Sequence, residues 1–161
     1  MSLKAYVNIT RNRQKGTTLL EVLISVLVLS IGLLGVASLQ MYGLRYNQSA
    51  YLRSQATILA YDMVDRMRTN SNGVAAGYYN TISTGSLPTD PACISSGCTN
   101  QQLADHDIRE WGNYFVGTQP VLPSATGSVT RAGNTFTVSV SWTELEKTGT
   151  KNQSVSYNFQ L

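Results

Sequence analysis

The pattern of apolar and polar positions divides the chain into distinct stretches. Residues 1–16 are mixed and polar. From Val22 to Leu39 the sequence is almost wholly apolar, broken only by Ser25, Ser30, Ser38 and the small residues Gly32 and Gly35. A run of that length, at about 1.5 Å rise per residue, extends roughly 27 Å, close to the hydrocarbon thickness of a bilayer. Periodicity then changes. Leu52, Ala56, Leu59, Met63 and Met67 recur at helical spacing, with Arg53, Asp65 and Arg68 off the stripe and Asp62 four residues before Arg66. No proline precedes Pro88. One helix from about Thr18 to Thr69 is therefore predicted, roughly 75–80 Å long. Any bending must come from Gly32 and Gly35.

Residues 70–99 are rich in Asn, Ser, Gly and Thr and contain Pro88 and Pro91, which predicts a long surface connection. Ala104, Ile108, Trp111 and Phe115 then mark a second helix. Asp105, Asp107, Arg109 and Glu110 are read as its solvated side. Gly127–Arg131 and Thr135–Thr143 flank the turn signal Ala132-Gly133-Asn134. The second run alternates Phe136, Val138, Val140, Trp142 against Thr137, Ser139, Ser141, Thr143. After the polar stretch Glu144–Asn152, Val155, Tyr157, Phe159 and Leu161 alternate again. Three antiparallel strands are expected, one face buried on the Leu52–Met67 stripe and one Ser/Thr face turned outward.

Composition is ordinary, at 42% hydrophobic and 13% charged, but the charge is unevenly placed. Lys4, Arg11, Arg13 and Lys15 lie in residues 1–16 with no acid. Twelve basic side chains less these four leave eight against nine acids in the rest. The net charge of +3 thus belongs to the leading segment, and a nucleic-acid role for the body loses its support. A DNA contact of the head remains open but unsupported. Basic residues before the apolar run hold the N-terminus in the cytoplasm and place the body across the inner membrane.

Cys93 and Cys98 enclose Ile94-Ser95-Ser96-Gly97. The pair is read as a disulfide, which suits an oxidising compartment. Two free thiols, or a mixed metal site with His106, are the alternatives. His106 also stands between Asp105 and Asp107, but adjacent helix positions point apart, which argues against acid–base work. No Ser/His/Asp arrangement, phosphate loop or metal-ligand spacing is visible. The chain is read as not an enzyme, without cofactor or metal.

Three readings of the N-terminal third compete: an uncut signal anchor, a signal peptide cut near Val36-Ala37-Ser38, and a leader cut after Gly16. Glu21 separates them. A carboxylate in a spanning helix costs about 2.5–3.5 kcal/mol at the centre and less near the interface. An anchor or signal peptide gains nothing from it. Cutting after Gly16 creates an amine at Thr17, four residues from Glu21. In a helical filament, Glu21 of one subunit can pair with that amine on its neighbour and set the axial register.

Lys15-Gly16-Thr17-Thr18-Leu19-Leu20-Glu21-Val22-Leu23-Ile24 resembles the prepilin cleavage and methylation motif of type IV pilins and type II secretion pseudopilins. Gly16 matches the residue before the cut, and Glu21 the glutamate at the fifth mature position. Thr17 departs from the usual phenylalanine. Tyr61 to Asn70, the Trp111 helix, Leu122-Pro123, Gly127-Ser128-Val129 and Thr137 to Trp142 are similar to the PilV-type minor pilins. The resemblance implies an α+β pilin (ladle) fold and a leader, residues 1–16, removed by the prepilin peptidase with N-methylation at Thr17. It implies a transmembrane and assembly half, residues 17–45, and a periplasmic head, residues 46–161. Its functional implication is a minor pilin that helps initiate pilus assembly near the tip. Partners would be other minor and major pilins and the inner-membrane assembly platform. Its location would be the inner membrane, then the pilus. The alternative is a minor pseudopilin of a type II secretion system.

Overall fold

The computed structural model describes residues 16–116, 120–146 and 149–161. Residues 1–15, with Lys4, Arg11, Arg13 and Lys15 of the expected leader, lie outside the described residues. Contacts divide the chain between Leu44 and Arg45 into two compact units.

Helix α1, Leu19–Thr69, starts where Thr18 can stop the chain's donors from going unpaired. The Thr18 Oγ1 accepts the Glu21 N–H at 3.3 Å, and the Thr18 carbonyl accepts the same N–H at 3.0 Å. Thr18 and Glu21 therefore stand at the N-cap and third position of a Thr-x-x-Glu start. In the first unit, every large apolar side chain from Leu19 to Leu44 is exposed. The helix runs through Gly32 and Gly35 without a break. It is long and apolar enough to cross a membrane, with a mean hydropathy of 2.6 over its best window.

In the second unit, the rest of α1 buries Leu52, Ala56, Leu59, Ala60, Met63, Val64 and Met67. This is the predicted stripe, widened by Ala60 and Val64. It joins one apolar cluster with helix α4, Asn100–Val116, and with the inward residues of a four-stranded antiparallel sheet. The strands are β1, Thr81–Ser83; β2, Thr126–Ala132; β3, Thr135–Glu146; and β4, Gly149–Gln160, in the spatial order β1-β2-β3-β4. Phe136, Val138, Val140 and Trp142 are buried on β3, as the alternation predicts. Gly133, with a φ of 60°, makes the β2–β3 turn in a conformation that a side chain disfavours.

One expectation about the head needs correction. Residues 70–99 are not simply a surface connection. They contain helix α2, Ser71–Ala75, strand β1 and helix α3, Cys93–Ser96, and they bury Asn70, Val74, Tyr79, Ile82 and Thr84. The sheet consequently has a fourth strand, pairing Thr81, Ile82 and Ser83 with Thr130, Val129 and Ser128. Three residues give too little alternation to be read without the partner strand. The strands also reach into the polar stretch Glu144–Asn152, beyond the alternating runs. Its described residues continue β3 and begin β4, with Glu144 opposite Lys151 and Thr143 opposite Asn152. Backbone pairing carries these positions out past the core, where neither face needs to be apolar.

Candidate functional site

Gly16, Thr17 and Thr18 precede α1 in the structure, and all are exposed. A Cβ on Gly16 would meet nothing within 4 Å. Among the described residues nothing makes a demand for glycine there. Glu21 is the only Asp, Glu, Lys, Arg or His between Gly16 and Leu44, and it lies in the first turn of α1. Its place suits the positive end of the helix dipole. Two hydroxyls deeper in the apolar run are already bonded. Ser25 Oγ donates to the Glu21 carbonyl and Ser30 Oγ to the Val26 carbonyl, each at 2.7 Å. Glu21 is thus the polar group of this stretch that carries charge.

The head is held by a buried polar network that ties three elements together. Tyr79, fully buried, donates its hydroxyl to Asp107 Oδ2 on α4 at 2.5 Å. Arg66 of α1 donates to Asp62 at 3.0 Å and reaches Asp107 Oδ1 at 3.5 Å. Asn70 donates to the Tyr79 oxygen at 3.0 Å and to the Asn100 carbonyl at 2.7 Å, and its Oδ1 accepts the Gly73 N–H at 3.2 Å. The end of α1, the start of α4 and the α2–β1 segment are thereby fixed to one another. Asp107, expected on a solvated face, is buried and partnered. A sequence signal existed: Asp107 stands three residues after Ala104 and four before Trp111, on the apolar stripe itself.

Burial, and then the bond to Asp107, push the Tyr79 hydroxyl above its ordinary pKa. The folded value exceeds the unfolded one. The resulting stability is present in full below the unfolded value of about 10 and is lost as pH rises through the folded value. Asp107→Ala would leave the Tyr79 hydroxyl buried without an acceptor and free Arg66 of one partner. A loss of about 2–3 kcal/mol is expected, read as an earlier urea midpoint for the detergent-solubilised chain. Trp111 and Trp142, both buried in the head, supply the fluorescence signal.

Cys93 and Cys98 are disulfide-bonded, with Cα atoms 5.1 Å apart. The pair therefore closes the small loop and is neither free nor metal-bound. His106 lies nearby, but its Nδ1 is 3.7 Å from Asp90 Oδ1, too far for a hydrogen bond. Asp90 instead accepts the Ala92 N–H at 2.9 Å, which lowers its pKa. Among the described residues no group of three or more His, Cys, Asp or Glu side chains is placed to hold a metal ion.

A long apolar N-terminal helix followed by a small antiparallel sheet is a pilin-like α+β architecture. Residues 38–109 match the family model described as Tt1218-like, Type IV pilin Tt1218. Residues 11–37 match that of the prokaryotic N-terminal methylation motif. The two matches adjoin, and together they support a pilin subunit of the type IV pilin superfamily. The prepilin motif implies processing by prepilin peptidase and assembly with other pilins, and with the apolar helix it suggests anchoring in the inner membrane and then a place in a pilus. No curated protein and no solved structure matches the chain. Strands β2, β3 and β4 lie outside both matched segments.

Proposed function

We propose that the chain is a minor pilin of a type IV pilus, of the PilV-type subgroup, which takes part in starting assembly and stands near the pilus tip. The observation that carries this reading is Glu21. It is a lone carboxylate in an otherwise uncharged, fully exposed apolar stretch, five residues after a glycine for which the described residues show no packing need. On this reading residues 1–16 are cut off, Thr17 supplies the new, methylated amine, and Glu21 neutralises the amine of a neighbouring subunit. Residues 17–45 form the membrane and shaft segment. Residues 46–161 form the periplasmic head, with Cys93–Cys98 closed there by oxidation. The action is mechanical: apolar packing of Val22–Leu39 holds the subunit in the shaft, and the head meets other minor pilins.

Two measurements test the reading. Gly16→Leu is expected to leave the precursor uncut, so that its mass stays higher by the whole leader. A normal mature mass would refute the leader boundary. Sheared pili are expected to contain the processed chain at far below the abundance of the main subunit. Absence from pili, together with loss of protein secretion on deleting the gene, would instead make it a pseudopilin.

A further inference from the structure

The second unit begins at Arg45, and the first turns of α1 within it line a small cavity. Arg45, Gln48 and Leu52, at i, i+3 and i+7, supply the helix side. Pro123, before β2, and Glu144 and Leu145, at the end of β3, supply the other. The cavity holds about 140 Å³. Drug-sized ligands occupy roughly 300–1,000 Å³, so this one suits a small polar group.

Its walls carry both signs of charge. Arg45 has no hydrogen bond or ion pair among the described residues. Glu144 Oε1 accepts the Trp142 indole N–H at 2.8 Å, which fixes the carboxylate but gives it no cation. Lys151 stands opposite Glu144 in the ladder, yet it pairs with Glu146 at 3.4 Å. A guanidinium and a carboxylate thus line one cavity, and among the described residues no ion pair joins them. Beside these charges Leu145 is 87% exposed. Position narrows what can enter. The apolar run ends at Leu39, six residues before Arg45, a rise of about 9 Å along α1. The headgroup layer outside the hydrocarbon is roughly 5–8 Å deep. With the apolar run in a bilayer, Arg45 on its flexible stem reaches that layer.

We infer that the cavity holds the headgroup of an ethanolamine phospholipid from the membrane that carries the apolar run. The inference rests on the membrane reading above. Arg45 and Gln48 donate to the phosphate, Glu144 accepts the primary ammonium, and Leu145 enters the adjoining acyl boundary. Charge complementarity selects this headgroup. A choline headgroup brings a cation without an N–H donor. A glycerol headgroup brings no cation and leaves the phosphate charge beside Glu144 uncompensated.

The test uses the full chain in detergent. It is mixed with equal amounts of phosphatidylethanolamine, phosphatidylcholine, phosphatidylglycerol and free phosphoethanolamine, and the molecule retained is read by native mass spectrometry. Phosphatidylethanolamine is expected to be retained roughly tenfold above the other two lipids, the worth of one hydrogen bond between charged groups. Glu144→Gln keeps an acceptor for the Trp142 indole and so keeps the head folded, but is expected to erase the preference. Arg45→Gln is expected to lower retention of all three lipids. Equal retention of the three, a preference that survives Glu144→Gln, or retention untouched by Arg45→Gln overturns the inference. Free phosphoethanolamine retained in place of the lipid overturns it too, making the cavity a site for a soluble molecule. The membrane reading is scored in vesicles of the same three lipids. Cys93 and Cys98 are bonded to each other, so Leu33→Cys takes a single fluorophore, which a doxyl group on lipid acyl chains should quench. Quenching without a lipid preference sinks this inference alone, whereas no quenching sinks the membrane reading beneath it.

Discussion

A Glu21→Ala chain is expected to enter the membrane and lose its leader normally, yet to be missing from sheared pili. The reason lies in what Glu21 has around it. It belongs to a turn in which the neighbouring side chains are apolar and exposed, and its own helix gives it no cationic partner. In lipid it stays near the interface at modest cost. In a packed bundle a carboxylate needs an opposite charge, because an unpaired buried ion costs several kcal/mol. The amine at Thr17 of a neighbour would supply it. The Thr18–Glu21 helix start offers a competing explanation, in which Glu21 matters only for helix initiation. Glu21→Gln distinguishes the two, since Gln serves equally well at the third position of such a start. Loss of incorporation in both variants supports charge pairing. Normal incorporation of Glu21→Gln would reduce Glu21 to a helix-start residue and remove the main support for the assembly role.

Trp111→Ala is expected to destabilise the head by about 3–5 kcal/mol, a large share of the roughly 5–15 kcal/mol typical of a domain. Trp111 is fully buried, packs edge-on against Phe115 at 4.8 Å and donates its indole N–H to the Leu59 carbonyl at 2.8 Å. That bond crosses from α4 to α1. Trp111→Phe keeps most of the ring contact and loses the bond, so about 1 kcal/mol should go. Gly127 on β2 supplies a second check. A Cβ there would stand 2.4 Å from Trp111 Cη2 and 2.9 Å from Phe115 Cζ. Gly127→Ala should therefore be costly beside Trp111, by about 1–3 kcal/mol, and much less so in the Trp111→Ala chain. Urea titration followed by Trp142 fluorescence measures both. Additive costs would mean that Trp111 and Gly127 do not share the contact.

The long helix, the α4 stripe and the alternation of β3 were legible because each repeats one rule over many residues. Leu52 to Met67 keep one face, and Phe136 to Trp142 keep another. The α2–β1 segment was not legible, because Thr81-Ile82-Ser83 is too short to show a period and takes its shape from β2. Asp107 was misread because its acidic neighbours suggested solvent, although its own spacing placed it on the buried stripe. What makes it tolerable there is Tyr79, twenty-eight residues away in sequence, and no local pattern announces such a pairing. The roles proposed for Gly16, Thr17 and Glu21 rest on their spacing and on the resemblance of the motif, because the partners they would act through lie outside the chain.

The two serine bonds inside the apolar helix have a consequence for how a subunit changes surroundings. Ser25 and Ser30 turn their hydroxyls back onto the helix's own carbonyls. Neither needs a partner from lipid or from protein. From Val22 to Ala37 the helix therefore offers the same apolar exterior to either medium, and moving it from one to the other breaks neither bond. Glu21 is the only charged side chain between Gly16 and Arg45, so it is the group of the segment whose energy differs most between the two states.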